Sequence, residues 1–155
     1  MGQIDGGRDQ ARGGARPRRV WRSDVRGAAA DPADAFHRES RTFLAAATRA
    51  GVRLVIPTFA VVEVACALSR RRRDPAAGQL LTEGLLRLAL VVQVPTDAAL
   101  LSTALRRGSS KFLRGADALY AATAERTGST LVAWDNELIR RAGARSPTDW
   151  LGANP

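Results

Sequence analysis

From Asp31 onward the apolar positions follow two alternating periods. In "DPADAFHRESRTFLAAATRAG", Phe36, Ser40, Phe43, Leu44 and Ala47 fall on one stripe at helical spacing. Asp31 stands as a cap with Pro32 at the first helical position, and Gly51 ends the run as the glycine that follows a helix. "VRLVIP" then reads as a short β-branched strand. "TFAVVEVACALSRRRR" is a second helix capped by Thr58, and "DPAAGQLLTEGLLRLAL" a third. "LVVQVP" is a second strand, followed by "TDAALLSTALRRG", a helix capped by Thr96. A helix from Gly115 to Thr127, a strand over 130–134, a short helix "NELIRRAGA" and a closing turn or short strand "SPTDWL" complete the chain. Each strand is a continuous apolar run, and strands alternate with helices. That pattern predicts a parallel sheet covered on both faces, an α/β sandwich with right-handed connections.

Residues 1–30 break the pattern. They carry seven Arg against three Asp, are rich in Gly, and offer only Val20, Trp21 and Val25 as apolar anchors. The segment reads as a disordered or degenerate basic tail preceding a domain over residues 31–155. At 155 residues and 45% apolar the chain suffices for one domain with a real core. It contains no apolar run of about 18 residues, so no membrane span is expected, and no secretory signal is visible. Cys66 is the single cysteine and sits in "VVEVACAL", which reads as a small core residue. A cytoplasmic setting fits these features. The net charge is +9, and of the cationic side chains all but Lys111 are Arg. Such a balance favours an acidic polymer such as nucleic acid as partner.

Lengths then bring three carboxylates together. The helix from Gly115 runs about 18 Å outward, and the strand after it returns about 16 Å. Asp117, in the first helical turn, and Asp135, just past the strand, should therefore reach the same edge, the carboxyl edge of the sheet, where open α/β folds hold their sites. Glu63 lies about 8 Å down the helix that follows "VRLVIP". It is the only charge between Arg53 and Arg70, and a lone carboxylate there costs several kcal/mol to bury unless paired or coordinated. Each has an ordinary alternative: Asp117 favouring a helix N-terminus, Asp135 capping "NELIRR", Glu63 pairing with an Arg or facing water. Three clustered carboxylates repel one another unless a cation sits among them. Hard oxygen donors without His or Cys select Mg²⁺ or Mn²⁺, the ions of phosphodiester cleavage.

"PTFAVVEVACALSRR", "LRGADALYAATAERTGSTLVAWDNEL" and "SPTDWL" resemble the middle and end of a PIN domain of the kind found in VapC-type toxin ribonucleases. The resemblance implies a Rossmann-like α/β/α sandwich and Mg²⁺-dependent RNA cleavage by metal-activated water. It also implies a small antitoxin partner and a homodimer. Glu63, Asp117 and Asp135 match three of the family's acidic positions, with Asn136 and Glu137 beside the last. The family's first strand ends in an Asp followed by a small residue and Ser or Asn. Here "ARPRRVWRSDVRG" stands in that place, with Val20 and Trp21 as the strand's remnant. Asp24, 39 positions before Glu63, is the fourth candidate ligand. The alternative this departure implies is a degenerate, inactive PIN fold that binds RNA or antitoxin without cleaving.

Among the cations, Arg114 and Lys111, with Arg106 and Arg107 nearby, are the candidates for substrate phosphates. The arginines of "SRRRRD" complement a helix C-terminus that points away from the expected site. Tyr120 and Trp134 read as core residues, with base stacking as the minor alternative. No Gly-rich phosphate loop follows a strand, and no zinc-ligand spacing occurs.

Overall fold

The computed structural model describes residues 18–21, 23–87 and 90–153. The elements run β1 (Arg18–Trp21), α1 (Ser23–Ala30), α2 (His37–Arg49), β2 (Arg53–Pro57), α3 (Phe59–Arg72), α4 (Pro75–Leu86) and β3 (Val91–Val94). They continue with α5 (Ala98–Lys111), α6 (Gly115–Thr127), β4 (Thr130–Val132), α7 (Asn136–Ala142) and α8 (Pro147–Ala153). The four strands form one parallel sheet in the order β3-β2-β1-β4. Helices cover both faces, so the fold is the Rossmann-like α/β/α sandwich expected from the alternating pattern.

β1 is an interior strand. Val20 pairs with Val55 of β2 on one side and with Leu131 of β4 on the other. The sheet thus extends upstream of residue 31, and α1 packs against α2 and α3. Within the segment read as a tail, residues 1–17 lie outside the described residues, as do the side chains of Val20 and Trp21. Val25 is fully buried.

Along β4 the faces alternate as a pleated strand requires. Leu131 joins a core with Val55, Tyr120 and Leu138, while Val132 joins Val25, Phe43, Leu54 and Trp150 on the other side. The ring of Phe43 meets Trp150 edge-on at 5.0 Å, which seats α2 on α8. A third cluster, Leu100, Ala104, Ala118 and Ala122, lets α5 lie closely along α6 through small side chains. At Gly78 a Cβ would stand 2.6 Å from the Ala65 carbonyl, so the α3–α4 contact requires glycine there.

Several local expectations are corrected. α2 begins at His37 rather than after Asp31, because Asp31 and Asp34 each accept a backbone N–H two residues on (Ala33 and Phe36) and hold the chain in turns. Thr58 does not cap α3 through its own first turn. Its hydroxyl donates to Thr96 Oγ1 at 3.1 Å and accepts from Thr96 N at 3.0 Å, while Thr96 Oγ1 takes the Phe59 N–H. With Thr96 so employed, Asp97 caps α5 by accepting from Leu100 N at 2.8 Å. "SPTDWL" is neither turn nor strand but the start of α8. Ser146 Oγ accepts from Asp149 N while Asp149 accepts from Ser146 N, a capping box with Pro147 in the first turn.

Candidate functional site

Parallel pairing sends the ends of β1, β2 and β4 to one edge, and the helices that follow begin there. α6 leads into β4 through Gly128, whose φ of +60° supplies the left-handed turn, so the start of α6 also lies at this edge. Four carboxylates from separate elements are thereby carried toward it.

Asp117, in the first turn of α6, is 1% exposed. One helical turn on, Tyr120 is fully buried, and its hydroxyl donates to Glu63 Oε2 at 2.7 Å. That bond ties α6 to the middle of α3 and answers the question of the lone Glu63. The half-buried carboxylate is held by a phenol, beside the α3 stripe formed by Ala60, Val64 and Leu68. Asp135 caps α7: its Oδ1 accepts from Glu137 N at 2.7 Å and Leu138 N at 3.4 Å. Asp24 reaches across from α1. Its Oδ2 accepts from the backbone N–H groups of Trp134 at 3.1 Å and Asp135 at 3.2 Å, while Oδ1 accepts from Val25 N at 2.7 Å. The residue with the poorest sequence context is thus fastened to the chain segment that carries Asp135.

Two grooves meet at Asp24. One runs along α3 past Glu63 and Cys66 to Arg70 and Arg71, and the other passes Asp34, Phe36, Trp134 and Asp135. Arg71 lines both and contacts Asp31 and Asp34 at 3.4 Å each. Although the C-terminus of α3 was expected to point away from the site, Arg70 and Arg71 share a groove with Asp24 and Glu63, because α1 packs against α3. Cys66 is exposed rather than in the core; it falls on the groove side of α3, off the buried stripe. Trp134 is half-buried, stacks face to face on Phe36 at 4.4 Å, and donates from Nε1 to Ser40 Oγ. Phe36 covers that indole and is itself 45% exposed, and sequence reading assigned it no role beyond the α2 stripe.

The expected phosphate-binding residues lie on the flank of this edge. Arg114 is exposed and reaches Glu137 Oε2 at 3.7 Å, and Lys111 is exposed at the end of α5. Arg106 and Arg107 both pair with Glu125, and the Arg107 hydrogen bond is the chief reason that carboxyl is held below its usual range.

In donor type the edge suits a hard divalent ion, since Asp24, Glu63, Asp117 and Asp135 offer oxygen donors and the Cys66 thiol sits farther along the α3 groove. Among the described residues, however, no three His, Cys, Asp or Glu side chains converge closely enough to hold a metal. Three of the carboxylates are held by hydrogen bonds, with Asp24 and Asp135 joined through backbone amides and Glu63 joined to α6 through Tyr120.

The model of the PIN domain family matches residues 31–144. A search of curated proteins returns no match. Among solved structures, PAE2754 from Pyrobaculum aerophilum is 23% identical with a TM-score of 0.62, covering 89% of this chain and 94% of its own. VapC20 from Mycobacterium tuberculosis, described as a Sarcin-Ricin loop cleaving toxin, is 17% identical with a TM-score of 0.64, over 76% of this chain and 89% of its own. VapBC2 from Rickettsia felis, bound to a DNA fragment from its promoter, is 13% identical with a TM-score of 0.62, over 83% and 96%. The family match begins after α1, so the unusual first strand falls outside it, whereas the likeness to PAE2754 extends over nine-tenths of the chain. With the matched stretch covering most of the chain and the parallel sheet and its acidic edge in place, this chain belongs to the PIN-domain family.

Proposed function

We propose that the chain is a metal-dependent endoribonuclease acting as the toxin of a toxin–antitoxin pair. The observation that carries this reading is that Asp24 on α1 accepts backbone N–H groups at Trp134 and Asp135, after β4, and this supports a shared edge with Glu63 on α3 and Asp117 on α6. Asp117, Asp135, Glu63 and Asp24 would hold Mg²⁺ or Mn²⁺, which when bound lowers the pKa of a water and neutralises charge on the scissile phosphate. The protein's own contribution is orientation. Tyr120 fixes Glu63, backbone amides fix Asp24 and Asp135, and Arg114 and Lys111 supply cations for flanking phosphates. Family membership and the VapC20 and VapBC2 likenesses support the toxin reading. FitAcB from Neisseria gonorrhoeae, 18% identical with a TM-score of 0.60, is a further neighbour of the same fold.

The partners follow from the same reading: an RNA substrate, an antitoxin protein over the acidic edge, and a second copy of the chain. For that copy, Leu101, Leu105 and Phe112 form an apolar face on α5, exposed by 50%, 72% and 78%.

A second reading has its own support. No three of the described carboxylates close on a common point, which favours a PIN fold that binds RNA or antitoxin without turnover. Cleavage of a mixed RNA pool with Mg²⁺, with EDTA, and by Asp117→Asn separates the two. The nuclease reading expects cleavage that EDTA abolishes and that Asp117→Asn lowers at least about 100-fold. Cleavage surviving EDTA sinks the metal mechanism, and binding without turnover in every metal establishes the second reading.

A further inference from the structure

Among the described residues, a strongly basic groove is lined by none of the four edge carboxylates. It lies between the C-terminal halves of α5 and α6 and the end of α7, and it is ringed by Arg107, Lys111, Arg140, Arg141 and Arg145 against the single carboxylate Glu125. Along α6 the groove runs from Ala121, about 6 Å along the helix from Asp117, to Gly128, about 17 Å from it. Lys111, Arg140, Arg141 and Arg145 are exposed. No carboxylate among the described residues pairs with Lys111, Arg140 or Arg145. Part of this charge serves helix ends, since Lys111, Arg140 and Arg141 lie in last turns. Arg145 lies in no helix. It is held by the backbone, its N–H donating to Leu131 and its carbonyl accepting from Ala133, so the β4 edge fixes it at the groove wall.

We propose that this groove binds the phosphodiester backbone of single-stranded RNA as a site separate from the acidic edge. Four of its five cations are arginines, whose planar forks take phosphate oxygens two at a time. Its floor includes Ala121 and Leu131 and no aromatic ring, which suits backbone contact rather than base reading. The groove also neighbours the segment that follows Asp135. Arg141 on its wall and Arg114 outside it both reach Glu137, two residues after Asp135. A strand entering the acidic edge therefore has a cationic path leading into the groove. The identity of the polymer rests on the ribonuclease reading, whereas the groove's affinity for phosphate does not require cleavage.

The test is binding, in EDTA, of a fluorescent single-stranded RNA to the full chain by anisotropy, between about 50 and 200 mM salt. Arg140→Ala/Arg145→Ala is compared with Arg41→Ala/Arg49→Ala, which removes equal charge from exposed positions on α2, over the other sheet face. The proposal expects the groove variant to lose about tenfold in affinity. Its log K against log salt should flatten by about 1.4, about 0.7 per lost phosphate contact. The α2 variant should stay near wild type. Equal losses in both variants would mean net charge alone, and no loss in the groove variant would mean no site; either overturns the proposal. Polyglutamate binding the wild type more tightly than RNA at matched salt, with that binding lost in the groove variant, would make the groove a protein-docking surface and overturn it as well. Mg²⁺-dependent cleavage is read separately. Its absence with the groove effect intact defeats the nuclease reading alone, and cleavage with no groove effect defeats this proposal alone.

Discussion

At the scale of single residues, chemistry depends on partners that lie far away in the chain. Glu63 was legible as an anomaly because an isolated carboxylate in an apolar helix demands an explanation. The partner, Tyr120, was not legible as one, because a buried Tyr at helical spacing is ordinary core until its hydroxyl is seen aimed across at another helix. Asp24 was visible only as an acidic residue at a suitable spacing. Its role comes from accepting backbone N–H groups 110 and 111 residues away. Asp97 offers a residue-scale prediction. The N–H of Leu100 and then the guanidinium of Arg126, 2.7 Å away, hold its carboxyl below the ordinary value. Because the folded value is depressed, the stabilisation is fully present above the unfolded value of about 4 and is lost as pH falls through the lower folded value. Asp97→Asn keeps a good capping side chain and removes the charge. It should melt below wild type at pH 7, with the gap closing as pH falls below about 4. A gap that persists at low pH would assign the effect to the cap geometry rather than to ionisation.

Elements were read well where period and length were both strong. α3, α4 and α6 and the core of each later strand sit where the apolar pattern put them. From residue 31 onward the misses fall at caps. α2 starts late, α5 is capped one residue on, and α8 replaces an expected turn, because Ser, Thr and Asp serve caps, turns and cross-chain bonds with the same oxygen atoms. Asp135 shows how one residue supports an element and a candidate site together, since it caps α7 and stands at the acidic edge. Two substitutions separate these roles. Asp135→Ala should cost about 0.5–2 kcal/mol in denaturant unfolding through the lost cap. Asp135→Ser should recover most of that stability while leaving RNA cleavage as low as in the Ala variant. Recovery of both stability and cleavage by Ser would show that the carboxylate matters to α7 and not to chemistry.

At the scale of the whole molecule, the interior place of β1 has the largest consequence. A chain beginning at Asp31 would leave β2 and β4 without their shared partner, exposing two ladders of backbone groups in the middle of the sheet. Such a chain should lose its cooperative thermal transition in circular dichroism, and a transition matching that of the full chain would refute the need for β1. No described helix is long and apolar enough to cross a membrane. The alternation of apolar strands with amphipathic helices, and hence a parallel sheet covered on both faces, could be read from the chain alone, because burial on two faces imposes a period that survives in the order of residues. The recruitment of a half-charged strand to the interior of the sheet, the bond from Tyr120 to Glu63, the return of Arg71 toward Asp24 and the gathering of cations beside β4 were decided only in three dimensions. Each joins residues distant in sequence through single hydrogen bonds or shared surface, and such contacts leave no periodic trace along a chain.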